Sequence, residues 1–360
     1  MKKEEDGVVR VTRPLRLDLA GGWSDTPPIC YERGGAVLNA AVRLEGGDPV
    51  QAEVWRIDRP EVRVESVDLG KSGVLTEREE IYGEQDPQDW CALVKSALQV
   101  VGYEFSRGGL AVRIRADVPK GSGMGTSSIL GSALVEALVR ALGRISPAKA
   151  SQRAFLDRIA TLTLRLEQVM ATGGGWEDQM GALYPGVKLV ETEKGRRQAF
   201  RVRRLSAKAE ARFAKFVADR GILYFTGQKR MARNVLRGVL AFYAKNPYGI
   251  AHAIIDGLKK DAADAYHALE RGNLSRFTAV LNRYWLNKKA LDPGSTNPHV
   301  ESIIARIAPW TEAVTLAGAG GGGFLFALAK SRKAKAQMLE VLAAAGGPGK
   351  SYRFSLSVAR

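Results

Sequence analysis

The sequence predicts an α+β protein of two domains, and three observations carry that prediction. Short runs such as "LRLDL" at residues 15–19 alternate apolar and polar side chains, the period of a strand. Longer stretches repeat apolar residues at helical spacing. The two kinds of segment follow one another without a regular β-α-β repeat, which argues against a doubly wound parallel sheet. At 360 residues the chain is also long enough to bury two cores.

Taken in order, "VRVTRPLRLDLAGG" sets Leu15, Leu17 and Leu19 against Arg16 and Asp18 and stops at Gly21-Gly22. This predicts a first strand with Arg16 on its polar face. "EVRVESV" and "LAVRIRADV" predict two more strands. Next comes the glycine-rich "DVPKGSGMGTSS", after which Ile129, Leu130, Ala133, Leu134, Ala137 and Leu138 recur at helical spacing up to Gly143. Phe155, Ile159, Leu162, Leu166 and Val169 mark a second helix that halts at "ATGGGWEDQMGAL". "GVKLVET", "AFRVRRL" and "GILYF" then read as strands, and helices follow around 229–245, 250–270, 274–290 and 299–308. "AVTLAGAGGGGFLFALAK" reads as strand, glycine corner and strand. A helix near 333–345 and a last strand, "YRFSLSV", complete the pattern. The seam is expected near 181–186, dividing the chain into domains 1–183 and 184–360.

Composition narrows the function classes. Fifty-four basic and 38 acidic residues leave a net charge of +16, which suits an anionic partner: nucleic acid, an acidic membrane surface or phosphorylated small molecules. The charges are dispersed, with the densest clusters at "KGRRQAFRVRR" and "KKEE", so a solvated basic surface is the plainer reading and the charge alone decides nothing. Two cysteines, Cys30 and Cys91, exclude a disulfide framework and a cysteine-rich metal site, and a reducing cytoplasm is the expected compartment. No apolar run is long enough to cross a membrane, and the opening "MKKEEDGVVRV" lacks the apolar core of a secretory signal.

The segment at 117–128 raises the sharpest chemical question. A helix start offers unpaired backbone N–H groups and a positive dipole end, and glycines let backbone approach an anion closely. Thr126, Ser127 and Ser128 add hydroxyls that can meet phosphate oxygens or Mg²⁺. The pattern is neither a Walker loop nor the Rossmann fingerprint. Alone, it reads equally as a capped tight turn.

The wider motif resolves this. "PKGSGMGTSS" resembles the P-x-x-x-G-L-G-S-S signature of the galactokinase, homoserine kinase, mevalonate kinase and phosphomevalonate kinase (GHMP) superfamily. "PLRLDLAGGWSDTPP" is similar to that superfamily's N-terminal substrate motif, and "LAGAGGGGFLFAL" to its C-terminal glycine motif. The three stand in the right order. The resemblance implies an N-terminal domain like ribosomal protein S5 domain 2, a ferredoxin-like C-terminal domain, and ATP with Mg²⁺ in the cleft between them. It gives the ATP phosphates to Lys120, Gly121, Ser122, Gly123, Met124, Gly125, Thr126, Ser127 and Ser128. Met124 fills the usual hydrophobic position, and Thr126 replaces the usual first serine.

By the same resemblance Ser127 and Glu167 bind Mg²⁺, with Ser128 taking the place of Ser127 if the loop is shifted by one. Asp178 faces the acceptor hydroxyl, and Arg16 neutralises charge beside it. Read alone, Glu167 is a solvent-facing helix charge, Asp178 a turn residue or cap, and Arg16 a strand-surface partner of Asp18. Asp25 matches the aspartate that holds sugar hydroxyls, and Gly22, Trp23, Gly175, Trp176 and Thr226 complete the expected sugar site. Trp23 and Trp176 could each lie beside a sugar or pack in the core. None of the three histidines falls in a motif.

Within the superfamily, "DLAGGWSDTPPICYERGGAVLNAAV" closely resembles the kinase half of bifunctional L-fucokinase/GDP-fucose pyrophosphorylases. "YFTGQKRMARNVL" and "LDPGSTNP" are similar to segments of the same branch. D-glycero-D-manno-heptose 7-phosphate kinases share "LAGG" and "GGAVLNA" but read Gly-Thr-Asp at positions 23–25. The implied activity is phosphorylation of the anomeric hydroxyl of a free hexose, L-fucose first, with a heptose 7-phosphate as the alternative substrate. A nucleotidyltransferase domain or enzyme is the expected partner. A basic RNA-binding protein is the non-enzymatic alternative, and it gives no reason for Ser127, Glu167 and Asp178 to occur together.

Overall fold

The computed structural model describes residues 7–83, 86, 89–119, 121–144, 151–229, 232–245 and 249–358. Two compact units group segments that interleave along the chain: Met1–Pro14, Asp48–Val118 and Thr126–Gly173 in the first, and Leu15–Gly47, Pro119–Gly125 and Gly174–Arg360 in the second. The division expected at residues 183 and 184 follows chain order. Packing groups residues 15–47 with the C-terminal half instead, because their strands pair there.

The first unit is a five-stranded sheet in the order Val9–Arg13, Val50–Ile57, Gly109–Ala116, Val62–Ser66, Lys71–Leu75. Only the pairing of Val62–Ser66 with Gly109–Ala116 is parallel. Helix Thr126–Ala141 packs on strands Val9–Arg13 and Val50–Ile57, and helix Gln152–Val169 lies against it. The six apolar positions expected to bury a face of the first helix are all buried. Phe155, Ile159, Leu162 and Leu166 do the same on the second, while Val169 at its end is exposed.

The second unit holds two sheets. In one, Gly35–Leu44 pairs with Leu15–Ala20, Val187–Thr192 and Phe354–Leu356, and Phe200–Arg204 forms an edge, all antiparallel. In the other, the order is Thr311–Leu316, Phe324–Ala329, Gly221–Phe225, Lys350–Tyr352. Its apolar face packs Ile222, Leu316 and Leu325 against Val300 and Ile307 of helix Pro298–Ile307 and Met338 of helix Arg332–Ala344. Helices Ala207–Arg220, Ala232–Lys245, Ile250–Arg271 and Leu274–Leu291 complete this unit.

Three sequence expectations change here. The opening strand is two strands, because Pro14 has no N–H and interrupts the ladder; Val9–Arg13 and Leu15–Ala20 join different sheets. Leu15–Ala20 has no exposed polar face. Helices Glu177–Leu183, Ile250–Arg271 and Leu274–Leu291 all pack against it, so Arg16 and Asp18 are as buried as the leucines between them. Finally, "ATGGGWEDQMGAL" does not only end a helix. It begins another, Glu177–Leu183.

Candidate functional site

The site is built around Arg16, which is 3% exposed. A buried guanidinium must find acceptors, and this one has several. Its Nη1 donates to the Gly123 carbonyl at 2.8 Å and lies 3.5 Å from Asp18 Oδ1. Its Nη2 reaches Glu177 Oε1 at 2.8 Å and Asp178 Oδ1 at 2.5 Å. Burial works against its charge, but Asp178, Glu177 and Asp18 together raise its proton affinity above the ordinary arginine value. The register of its strand shifts between Asp18 and Ala20, a local irregularity of the kind that re-aims side chains near sites.

The glycine loop meets this arginine directly. Gly121, Gly123 and Gly125 all have φ near +70°, at 70°, 76° and 71°. A Cβ on Gly123 would stand 2.6 Å from the Ala317 carbonyl oxygen, and one on Gly125 would stand 2.4 Å from Asp178 Oδ1. Gly125 therefore does two things. It supplies a left-handed turn before helix Thr126–Ala141, and it leaves room for the Asp178 carboxylate. Ser122 and Met124 are buried beneath the loop, and the Ser122 carbonyl accepts from Phe324 N at 2.9 Å, tying loop to C-terminal sheet. Lys120 lies outside the described residues.

Asp178 is the second residue of helix Glu177–Leu183 and stays 24% exposed, more open than the groups around it. Glu177, beside it, is half-buried, its side chain 15% exposed. Burial pushes its carboxyl well above the usual carboxylate range; Arg16 pulls the other way, and the negative charges of Asp18, Asp25 and Asp178 add to the rise. For Asp18, burial is outweighed by Lys288, Arg16, the Tyr284 hydroxyl and the Gly318 N–H, which hold it below that range.

The expected sugar residues surround the same helix start. Asp25, 2% exposed, accepts from Glu177 N at 3.0 Å, and burial pushes its carboxyl up to about 6. Gly175 has no Cβ because one would stand 1.9 Å from Asp25 Oδ2. A Cβ on Gly22 would fall 2.6 Å from the Tyr284 hydroxyl and 3.2 Å from Glu177 Oε2. Trp23 holds φ of 78°, a strained value for a bulky residue, in a turn pinned by the Ser24 hydroxyl to Gly21 and Ala36. Trp176 is buried edge-on against Phe200, with ring centroids 5.6 Å apart, so it packs in the core. Thr226 differs from the others. Its hydroxyl donates to the Gly323 carbonyl at 3.0 Å, which makes it a tie between strand Gly221–Phe225 and the C-terminal glycine turn.

The expected metal pair belongs to the first unit. Ser127 is exposed on the first turn of helix Thr126–Ala141, between the half-buried Thr126 and Ser128. Glu167 is buried near the end of helix Gln152–Val169, where Thr172 donates to its carboxylate. The two helices meet where Gly131 faces Leu166, one turn after Ser127 and one residue before Glu167. Hydroxyl and carboxylate oxygens are the hard donors that suit Mg²⁺, which keeps other positions for water and phosphate. Among the described residues no cluster of three or more His, Cys, Asp or Glu could hold a metal ion unaided.

Four residues of the site were not expected from sequence: Glu177, Tyr284, Lys288 and, as a buried partner rather than a surface one, Asp18. Tyr284 donates to Asp18 Oδ2 at 2.7 Å and Lys288 lies 3.3 Å from the same atom. A signal existed for Lys288. Phe277, Leu281, Tyr284, Lys288 and Leu291 recur at steps of four and three, which puts a lysine on an apolar stripe.

Comparison with known proteins follows the same lines. The model of the GHMP kinases N terminal domain matches residues 92–186, and that of the GHMP kinases C terminal domain matches residues 265–347. The chain is 32% identical over 357 residues to an L-fucokinase/L-fucose-1-P guanylyltransferase of Bacteroides fragilis, covering 94% of this chain and 36% of that protein. It is 34% identical over 331 residues to a bifunctional fucokinase/GDP-fucose pyrophosphorylase of Arabidopsis thaliana, covering 91% and 30%. The chain thus spans about a third of the length of these relatives. A D-glycero-alpha-D-manno-heptose 7-phosphate kinase of Campylobacter jejuni is 26% identical over 300 residues, covering 82% and 81%. Lactococcus lactis galactokinase has the same fold, with a TM-score of 0.71 at 16% identity over 98% of this chain and 94% of that one. No described helix is long and apolar enough to cross a membrane. With both family models matched in order and the fold in agreement, the chain belongs to the GHMP kinase family.

Proposed function

We propose that the chain is an ATP-dependent sugar kinase that phosphorylates the anomeric hydroxyl of a free hexose, L-fucose giving fucose 1-phosphate. The observation that carries this reading is the Asp178 carboxylate, ion-paired to Arg16 and seated against Gly125 of the phosphate-type loop. Phosphoryl transfer asks mainly for positioning and charge neutralisation. Asp178 accepts or orients the proton of the attacking hydroxyl, and Arg16 holds that carboxylate in place through their ion pair. Asp25 accepts from sugar hydroxyls, in a turn set by Gly22 and Trp23. The loop at 121–125 and the hydroxyls of Thr126, Ser127 and Ser128 take the nucleotide phosphates. Ser127 and Glu167 would hold Mg²⁺, whose charge offsets that of the phosphates when bound. In this assignment residues 1–183 form the family's N-terminal half and 184–360 its C-terminal half.

A heptose 7-phosphate is the second reading, favoured by the Campylobacter relative. It needs cations converging on a second phosphate. Arg33, the nearest such residue after the sugar loop, is instead paired to Asp256 through two nitrogens. The loop itself, Trp23 to Ile29, carries one acid and no base. Both points support a neutral sugar.

The test is kcat/KM for L-fucose, D-arabinose, galactose and a heptose 7-phosphate at equal ATP. A methyl contact is worth about 1–3 kcal/mol, so D-arabinose, which lacks the methyl of L-fucose, is expected to be slower but active. A phosphorylated heptose preferred by more than about tenfold, 1.4 kcal/mol, would reject the fucokinase reading.

A further inference from the structure

Lysine is almost never fully buried unless paired, yet Lys288 of helix Leu274–Leu291 has 0% exposure. Its ammonium has three donors and meets three acceptors. These are the carbonyls of Leu316 at 2.7 Å and Gly318 at 2.5 Å, and Asp18 Oδ2 at 3.3 Å. Two lie at the entry to the C-terminal glycine turn, and the third is on the strand that carries Arg16. Asp18 is itself saturated: Oδ1 accepts from Gly318 N at 2.7 Å, and Oδ2 from the Tyr284 hydroxyl at 2.7 Å.

The distances around Arg16 then acquire a cause. Arg16 stands 3.5 Å from Asp18 but 2.5 Å from Asp178 and 2.8 Å from Glu177. With Lys288, Tyr284 and Gly318 already serving Asp18, the guanidinium is left to the two carboxylates on the loop side. Without Lys288, Asp18 would keep only neutral donors besides Arg16 and would draw it inward. A buried ion pair is weak evidence for stability, so what Lys288 contributes is the placement of charge.

We infer that Lys288 is a positioning residue for phosphoryl transfer, acting through Asp18 to hold the Arg16 guanidinium against Asp178. The inference rests on the reading of Arg16 and Asp178 as transfer residues.

The experiment is a double-mutant cycle of Lys288→Met and Asp18→Asn, with Lys288→Arg as the charge-conserving control. Lys288→Met is expected to lower kcat by about 10²-fold or more, the scale of a lost electrostatic contact in the transition state, with both KM values within about threefold. The acid limb of its kcat–pH profile should move to higher pH. Asp18 faces Arg16 on its own strand, Tyr284 and Lys288 on the helix and the Gly318 N–H on the turn, with Glu177 and Asp178 beyond Arg16, and it would lose a cation. Lys288→Arg should recover at least about tenfold over the Met variant. In the Asp18→Asn background, Lys288→Met should cost less than about threefold more. That double variant carries no unpaired buried charge, so it is read even if the single variant folds poorly. A Lys288→Met enzyme with a lower Tm but unchanged kcat and pH profile would overturn the inference, as would full additivity in the cycle. A parent chain that releases no ADP with any sugar would overturn the kinase reading, and this inference with it.

Discussion

Asp25 shows how far single residues could be read in advance. Its place in "GGWSDTPP" marked it as an expected sugar ligand, but its environment comes only from the fold: burial raises its carboxyl from 3.8 to about 6. The sign follows from that direction. Folding favours the protonated acid, so this contribution to stability is full below pH 3.8 and is lost as pH rises through about 6. Sugar hydroxyls, however, donate to the ionised form. The KM for the sugar is therefore expected to rise on acidification through pH 6, by about tenfold per pH unit well below it, while Asp25→Asn flattens that limb. A sugar KM that stays constant from pH 7 to 5 would remove Asp25 from the binding site. Arg16, Asp178 and the loop glycines were singled out in the same way, because motifs fix residue type and spacing, and the structure brings them together. Tyr284 and Lys288 were not. The apolar stripe of their helix places both toward the core, but nothing local tells what they meet there until the strand beneath them is seen to carry a buried aspartate.

At the scale of elements, the long amphipathic helices were plain because their apolar spacing is local. The errors cluster where a local rule meets tertiary cover. Alternation along residues 15–19 announced a strand with one wet face, yet helices cover both sides and Arg16 is buried with its partners. The glycines at 173–175 announced a helix stop and masked the short helix that presents Glu177 and Asp178. The close fit between that helix and the loop is testable at Gly125. Gly125→Ala would put a methyl 2.4 Å from Asp178 Oδ1 at φ of 71°, so kcat should fall sharply along with a stability loss of about 1–3 kcal/mol. Gly143→Ala is the control. Its φ is 64° but nothing lies within 4 Å of the new methyl, so strain appears in denaturation while turnover is kept. Equal activity in both variants would mean that the loop and Asp178 need not be so close.

For the molecule as a whole, three motifs scattered from residue 14 to residue 328 were legible as a set, but not how they are gathered. Strand pairing is non-local. Only the structure shows that residues 15–47, 119–125 and 174–360 form one unit, with Arg16, Asp18, Asp25, Gly125, Asp178 and Lys288 all in it. Ser127 and Glu167 belong to the other. Under the proposed roles, transfer and sugar binding would fall to one unit and metal ligation to the other. The most direct measurement compares Asp178→Asn with Glu167→Gln for turnover, Mg-ATP affinity and Mg²⁺ dependence. Asp178→Asn should leave Mg-ATP affinity nearly intact and lower turnover by about 10²–10⁴-fold, roughly 3–5 kcal/mol of barrier, while Glu167→Gln raises the Mg²⁺ requirement. Normal turnover in Asp178→Asn with an altered Mg²⁺ dependence would contradict the account, since the two carboxylates would then hold each other's roles.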